Sequence, residues 1–301
     1  MSILTVADAV GALKNVSLDR GLPDVKRRTL PFDMNKVLNK CIQTRNREVG
    51  SDRGDHSELH VTEMAYWCPM RRFYDLQAIK KGIRKMPVPV PAAAQRLFDR
   101  GHTVHAMIQK WLGYSGAFFG DWRCKHCNRI YRFSAFPGKC VCGNKHYEYI
   151  ELKVHYSFPD ITGILVGSVD GVFFYQGEWY VIEVKSKGNF NFESIRNVAR
   201  PHYIQVNIYM HLLGIKQAIV CYADPEQAKI AGGGFLVPYD PNVWTWVYQS
   251  LAAVETAAKN NSIKPLSKAC TSQTSMLAKT CIHVDQCFSI NKSRVKRVEK
   301  E

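Results

Sequence analysis

Apolar and polar residues alternate most clearly between Gly163 and Lys185, in G-I-L-V-G-S-V-D-G-V-F-F-Y-Q-G-E-W-Y-V-I-E-V-K. Two runs rich in β-branched and aromatic residues flank Tyr175-Gln176-Gly177-Glu178, which predicts a β-hairpin closed by a two-residue loop. That loop sets a register in which Tyr175 faces Glu178, Asp170 faces Glu183 and Ser168 faces Lys185. Side chains alternate along a strand, so Glu183 and Lys185 share a face and Val184 points the other way. Directly opposed like charges destabilise a strand pair. Asp170 and Glu183 therefore require a cation between them or a raised pKa, and the simplest occupant is a hard divalent ion such as Mg2+. The plainer alternative is two polar residues on the wet face of a hairpin.

Helical spacing marks other stretches. Val6–Leu18 has a short amphipathic pattern, and Asp33–Ile42 predicts another helix before a polar loop over Arg45–Asp55. Thr62 is a candidate N-cap for a helix carrying Met64, Ala65, Trp67 and Cys68, and Pro69 interrupts or begins a turn. Pro87-Val88-Pro89-Val90-Pro91 reads as a stiff linker. Ala92–Leu112 is a long helix with Leu97, Val104, Ile108 and Trp111 on one stripe and His105 beside it. Arg129–Phe133 and Glu148–Tyr156 predict strands ahead of the hairpin. Beyond it come a helix over Val198–Leu213, strands at Ala218–Tyr222 and Gly234–Val237, and a helix over Pro241–Asn260.

Charge narrows the partner. The chain has 301 residues, 46% of them apolar, and a formal net charge of +15. A packed core is affordable at that composition, and the basic excess favours a polyanion such as nucleic acid. No apolar run approaches the ~20 residues that span a bilayer, and no signal-peptide core opens the chain, so a cytoplasmic protein is expected, with no membrane partner.

Cysteine spacing adds metal chemistry. Of ten cysteines, Cys124 and Cys127 form C-x2-C, and Cys140 and Cys142 form C-x-C before Gly143. Paired thiolates on two turns around a strand suit tetrahedral Zn2+, a small zinc ribbon. The tight C-x-C leaves His126 or His146 as an alternative fourth ligand. Lys125, Arg129, Arg132 and Lys139 would place positive charge on that insert. Cys41 and Cys221 are left over as buried free thiols.

Asp170, Glu183 and Lys185, spaced D-x12-E-x-K, resemble the core of the PD-(D/E)XK nucleases. R-G-H-T-V-H ending at His105, and Gln205-x3-Tyr209 on a later helix, resemble the RecB-like branch. C-P-M-R-R-F-Y from Cys68 is similar to the cysteine segment of its iron–sulfur members, the CRISPR-adaptation exonucleases and the AddB subunit. The resemblance covers roughly residues 60–290. It implies Mg2+ or Mn2+ held by His105, Asp170, Glu183 and the Val184 carbonyl. It implies Lys185 beside the attacking water, and Gln205 and Tyr209 at the DNA backbone, orienting the DNA strand. It also implies a [4Fe–4S] cluster on Cys68, Cys270, Cys281 and Cys287. The gap from Cys270 to Cys281 departs from the family spacing. Four buried thiols, or a second zinc, are the alternatives there.

The expected fold is an α/β (α+β mixed), restriction-endonuclease-like core with a central mixed sheet between helices. The expected parts are an N-terminal accessory helical region (1–57), a core (58–121 and 148–290), an inserted zinc ribbon (122–147) and a basic tail (291–301). The expected function is metal-dependent exonuclease action on single-stranded or end-containing double-stranded DNA, in phage or bacterial recombination, repair or processing. The chain has no G-x4-G-K-[ST] phosphate loop, so a helicase or recombinase partner would be another polypeptide. The alternatives are a non-catalytic zinc-ribbon DNA-binding protein, and the nuclease subunit of a helicase–nuclease or CRISPR-adaptation complex.

Overall fold

A computed structural model describes residues 33–49, 56–83, 90–188, 192, 194–262, 270, 272–279 and 281–289. The amphipathic pattern at Val6–Leu18, most of the proline linker and the basic tail lie outside them.

In chain order the elements begin with α1 (Met34–Val49), β1 (Glu58–His60), α2 (Val61–Ala65), α3 (Pro69–Lys80) and α4 (Ala92–Gly113). Seven strands follow: β2 (Phe118–Cys124), β3 (Ile130–Ser134), β4 (Tyr147–Ile150), β5 (Leu152–Ser157), β6 (Ile164–Val169), β7 (Gly171–Tyr175) and β8 (Glu178–Ser186). The last elements are α5 (Arg200–Leu213), β9 (Gln217–Ala223), β10 (Phe235–Pro238), α6 (Pro241–Lys259) and α7 (Met276–Lys279).

The main sheet is mixed and seven-stranded, in the order β10-β9-β8-β7-β2-β3, with β4 also paired to β2. A second sheet of three strands runs β1-β6-β5. The hairpin β7–β8 has the expected register, from Tyr175 opposite Glu178 to Gly171 opposite Ile182. Its two loop residues, Gln176 and Gly177, both have positive φ (50° and 85°), as a primed turn demands.

The register stops at Asp170. Ser168 does not face Lys185: it lies in β6, opposite Lys153 of β5, and Lys153 Nζ donates to Ser168 Oγ at 2.5 Å. One extended run has changed sheets between β6 and β7. The stretch read as a single strand over Glu148–Tyr156 does the same, breaking at Glu151 between β4 and β5. Alternation continues through such a crossing, so it gives no sign in the sequence.

Gly171 permits the close approach at this crossing. A Cβ there would meet the Phe118 ring at 2.1 Å.

Two cores lie on opposite sides of the main sheet. Val181, Val220 and Leu165 pack with Ile208, Met210 and Leu251 of α5 and α6. Ile182 and Val184 pack under Val104 and Ile108 of α4. Leu97 and Trp111, expected on that buried stripe, are more than half exposed. The first half of α4 instead meets α1 through a polar contact, Arg96 Nη1 donating to Asn39 Oδ1 at 2.5 Å. A third core joins α3, the end of α6 and the C-terminal segment through Met70, Phe73, Leu76, Val254 and Cys287.

Two smaller expectations also change. The cap of α2 is His60 rather than Thr62, because Glu63 reaches back to accept the His60 N–H at 3.1 Å. Cys41 is exposed on α1 and Cys221 is half-buried, so neither is a fully buried thiol.

Candidate active site and cysteine groups

The two sheet crossings meet. One step past the last β5–β6 pair, Leu152 opposite Val169, the register brings Glu151 beside Asp170. One step past Gly171 opposite Ile182, it brings Asp170 beside Glu183. Three neighbouring strands thus present three carboxylates in a row, with Asp170 in the middle. The hairpin count reaches Asp170 and Glu183 but misses Glu151, whose partner strand is fixed by a separate ladder.

Helix α4 adds an imidazole. His105 Nδ1 lies 3.3 Å from Asp170 Oδ1. One ligand atom each from His105, Glu151 and Asp170 falls within 4.8 Å of the others, close enough to share one metal ion. Gln109, one turn after His105, donates from Nε2 to the Asp170 carbonyl at 3.0 Å. This buried amide was also missed; a polar residue on the core side of an apolar helix was its only signal. The Val184 N–H donates to Asp170 Oδ2 at 2.6 Å, so the carboxylate is held from both sides.

Glu183 is 2% exposed. Its Oε1 accepts from Lys185 Nζ at 2.5 Å, and its Oε2 has no hydrogen-bond partner. Burial and then the Asp170 charge push the Glu183 pKa up to about 8, against the pull of Lys185. Burial, followed by Asp170, also raises Glu151. Burial works against charge on Lys185 and His105, yet the neighbouring carboxylates win and raise both. An orphaned buried carboxylate oxygen amid mutually repelling acids is the donor set of a hard divalent cation. The residues present therefore fit Mg2+ or Mn2+.

Gln205 and Tyr209 are both buried on α5, and Gln205 Nε2 donates to Tyr209 Oη at 3.3 Å. Tyr209 packs on β6 at Gly167, where a Cβ would meet its ring at 2.8 Å. They stand behind the acids, and burial by the site, Glu183 foremost among its charges, raises the Tyr209 pKa. Lys185 reaches solvent, its side chain 24% exposed, as does His105 at 19%.

The four cysteines of the expected ribbon come together. Cys124 and Cys142 sulfurs lie 3.6 Å apart, as do Cys127 and Cys140, and all four are within 4.8 Å of one another. Tight turns build this: Gly143 N–H donates to the Cys140 carbonyl at 2.8 Å, and Asn128 N–H to that of Cys124 at 3.0 Å. The group needs neither His126 nor His146, both exposed. Four thiols converging at tetrahedral spacing fit one Zn2+. The ribbon is continuous with the main sheet, since β2 runs from its core pairing with β7 into Cys124. Lys125, Arg129, Arg132 and Lys139 are exposed on it.

Cys68, Cys270 and Cys281 line a second location, a cavity of about 330 Å³ beside α3, with Arg71, Arg72 and Asp75. Burial, then the charges of Cys68, Cys270 and Cys281, push the Cys287 thiol up to about 12. Residues far apart in sequence thus converge. They do not form the tight four-sulfur group of the ribbon, and a multi-iron cluster, wider than one ion, needs no such group.

Neither a protein-family model nor a curated protein matches the chain. Among solved structures, SSO0001 is similar at 14% identity and a TM-score of 0.41, over 78% of this chain and 90% of that one. The alkaline exonuclease LHK-Exo from Laribacter hongkongensis is similar at 12% identity and a TM-score of 0.39, over 68% and 89%. Likeness this distant carries nothing about activity. No helix among the described residues is long and apolar enough to cross a membrane.

Proposed function

We propose that this chain is a metal-dependent deoxyribonuclease, an exonuclease of the RecB-like PD-(D/E)XK kind. The observation that carries the proposal is the row Glu151–Asp170–Glu183, completed by His105 and opened to solvent at Lys185. His105, Glu151, Asp170, Glu183 and the Val184 carbonyl would hold Mg2+ or Mn2+, which would polarise a scissile phosphate and lower the pKa of a bound water. Lys185 sets a positive charge beside Glu183, where charge develops on the phosphate oxygens. Gln109 and the Val184 amide fix Asp170 so that no reorganisation is needed at the moment of reaction. Gln205 and Tyr209 would orient the DNA strand. The exposed basic residues of the ribbon would contact a DNA backbone.

The cysteine groups complete the proposal. Cys124, Cys127, Cys140 and Cys142 hold a structural Zn2+. Cys68, Cys270, Cys281 and Cys287 hold a [4Fe–4S] cluster that ties the C-terminal segment to α3. The setting is bacterial or phage DNA recombination, repair or processing in the cytoplasm, with a helicase or recombinase as partner.

End-labelled single- and double-stranded DNA incubated with the protein, with and without Mg2+ or Mn2+, tests the activity. Cleavage should require metal. Asp170→Ala and Lys185→Ala should each lower turnover on the order of 100-fold or more while DNA binding persists. Undiminished cleavage in both variants would sink the site, and binding without cleavage by the parent would sink the activity.

A further inference from the structure

We propose that His56, Asp75 and His283 form a further site for a single Zn2+ ion, with ligands distinct from those of the nuclease centre and of the cysteine groups. The trio comes from three places. His56 precedes β1, Asp75 lies on α3, and His283 leads into the helical turn over residues 284–289. All three are buried, at 5%, 5% and 7% exposure.

Both imidazoles point at one atom. His56 Nδ1 lies 2.6 Å and His283 Nε2 2.9 Å from Asp75 Oδ1. The three ligand atoms fall within 4.8 Å of one another. Bonds of ~2.0–2.1 Å to a tetrahedral ion separate ligands by roughly 3.3 Å, so the His56 and His283 contacts would open by about 0.7 and 0.4 Å to admit it.

Hydrogen-bond accounting favours an ion. A neutral imidazole carries one N–H. His283 Nδ1 lies 3.2 Å from Gln286 Oε1, which can only accept. If the proton sits there, Nε2 aims a lone pair at a carboxylate oxygen 2.9 Å away, and two acceptors that close repel. Zn2+ between them removes the conflict and uses both lone pairs. The outward bond to Gln286 is the usual restraint on a metal-bound imidazole. Arg72 restrains the other ring's backbone, its Nη1 donating to the His56 carbonyl at 3.0 Å.

The fourth position has a source. Asp75 lines the 330 Å³ cavity that also holds Cys68, Cys270 and Cys281, from which water can complete the tetrahedron. Asp75 and His283 are 208 positions apart, so the ion would clasp the C-terminal segment to α3 through nitrogen and oxygen alone. The competing arrangement is an imidazolium hydrogen-bonded to Asp75, with no metal.

The test is zinc K-edge X-ray absorption, with elemental analysis, on the full chain freed of any histidine tag and prepared with zinc. The parent should show a nitrogen/oxygen shell near ~2.0–2.1 Å as well as sulfur. His283→Gln and His56→Gln should each lose that shell and about one zinc per chain, while His105→Ala keeps both. A parent spectrum with sulfur alone overturns the site without recourse to any variant. So does a shell that survives His283→Gln or disappears in His105→Ala.

Discussion

Glu183 is the residue whose ionisation is most at odds with its surroundings. Its carboxylate is buried, one oxygen lacks a partner, and the pKa stands at about 8 against an ordinary 4.5. A folded-state pKa above the unfolded value means the folded chain binds the proton more tightly. The associated stability is full below about 4.5 and is lost as pH rises through about 8. Metal-free protein should therefore melt at progressively lower temperature between these limits. Glu183→Gln, which keeps the shape and removes the charge, should flatten that slope and melt higher than the parent at pH 9. Thermal scans in EDTA across the range check this, and parallel slopes for the two proteins would refute it. The same proton competes with a divalent ion, so Mn2+ should bind the parent more tightly as pH rises toward 8.

Helix α4 and the two sheet crossings turn isolated side chains into a site. His105 and Gln109 stand one turn apart, the first against the Asp170 carboxylate and the second against its carbonyl. Gln109→Ala leaves that buried carbonyl unpaired, a loss of ~1–3 kcal/mol. The melting temperature should fall, and calorimetric titration should show weaker Mn2+ binding because Asp170 is no longer held. Unchanged Mn2+ affinity in a destabilised Gln109→Ala variant would make this glutamine a packing residue only. What could be read from sequence follows the same divisions. Asp170 and Glu183 were legible because a two-residue loop fixes their register locally. Glu151 was not, because its place depends on a ladder between β5 and β6 joined through residues 158–163. Ser168 was assigned to Lys185 because alternation runs unbroken through a change of sheet. The cysteines of the ribbon were legible from spacing alone, whereas His56 and His283 carry no local pattern.

The long-range design of the chain turns on its C-terminal segment. Among its described residues, side chains tie it to the rest: Tyr74 Oη donates to the Gln286 carbonyl at 3.4 Å, and Cys287 packs into the core of α3 and α6. Cys68, at the N-cap position of α3, lines the cavity together with Cys270 and Cys281. Bringing such distant residues together costs loop-closure entropy, which rises only slowly with length. Thiolate bonds to the proposed cluster would offset it and couple cluster binding to folding of this edge. Glu151 and Asp170 sit at the two sheet crossings and Glu183 on β8, beside cores in which no described residue of the segment appears. Loss of the cluster should therefore lower stability first and activity only as the domain melts. Protein prepared without oxygen and with iron supplied should be brown, with broad absorption near ~400 nm. Cys281→Ala should bleach it and lower the melting temperature, yet cleave DNA at parental rates well below that temperature. A colourless, iron-free parent of full stability would eliminate the cluster and leave the acids of the nuclease site untouched. Cleavage lost in step with the colour at low temperature would show instead that the cysteine cavity and the acidic row act as one unit.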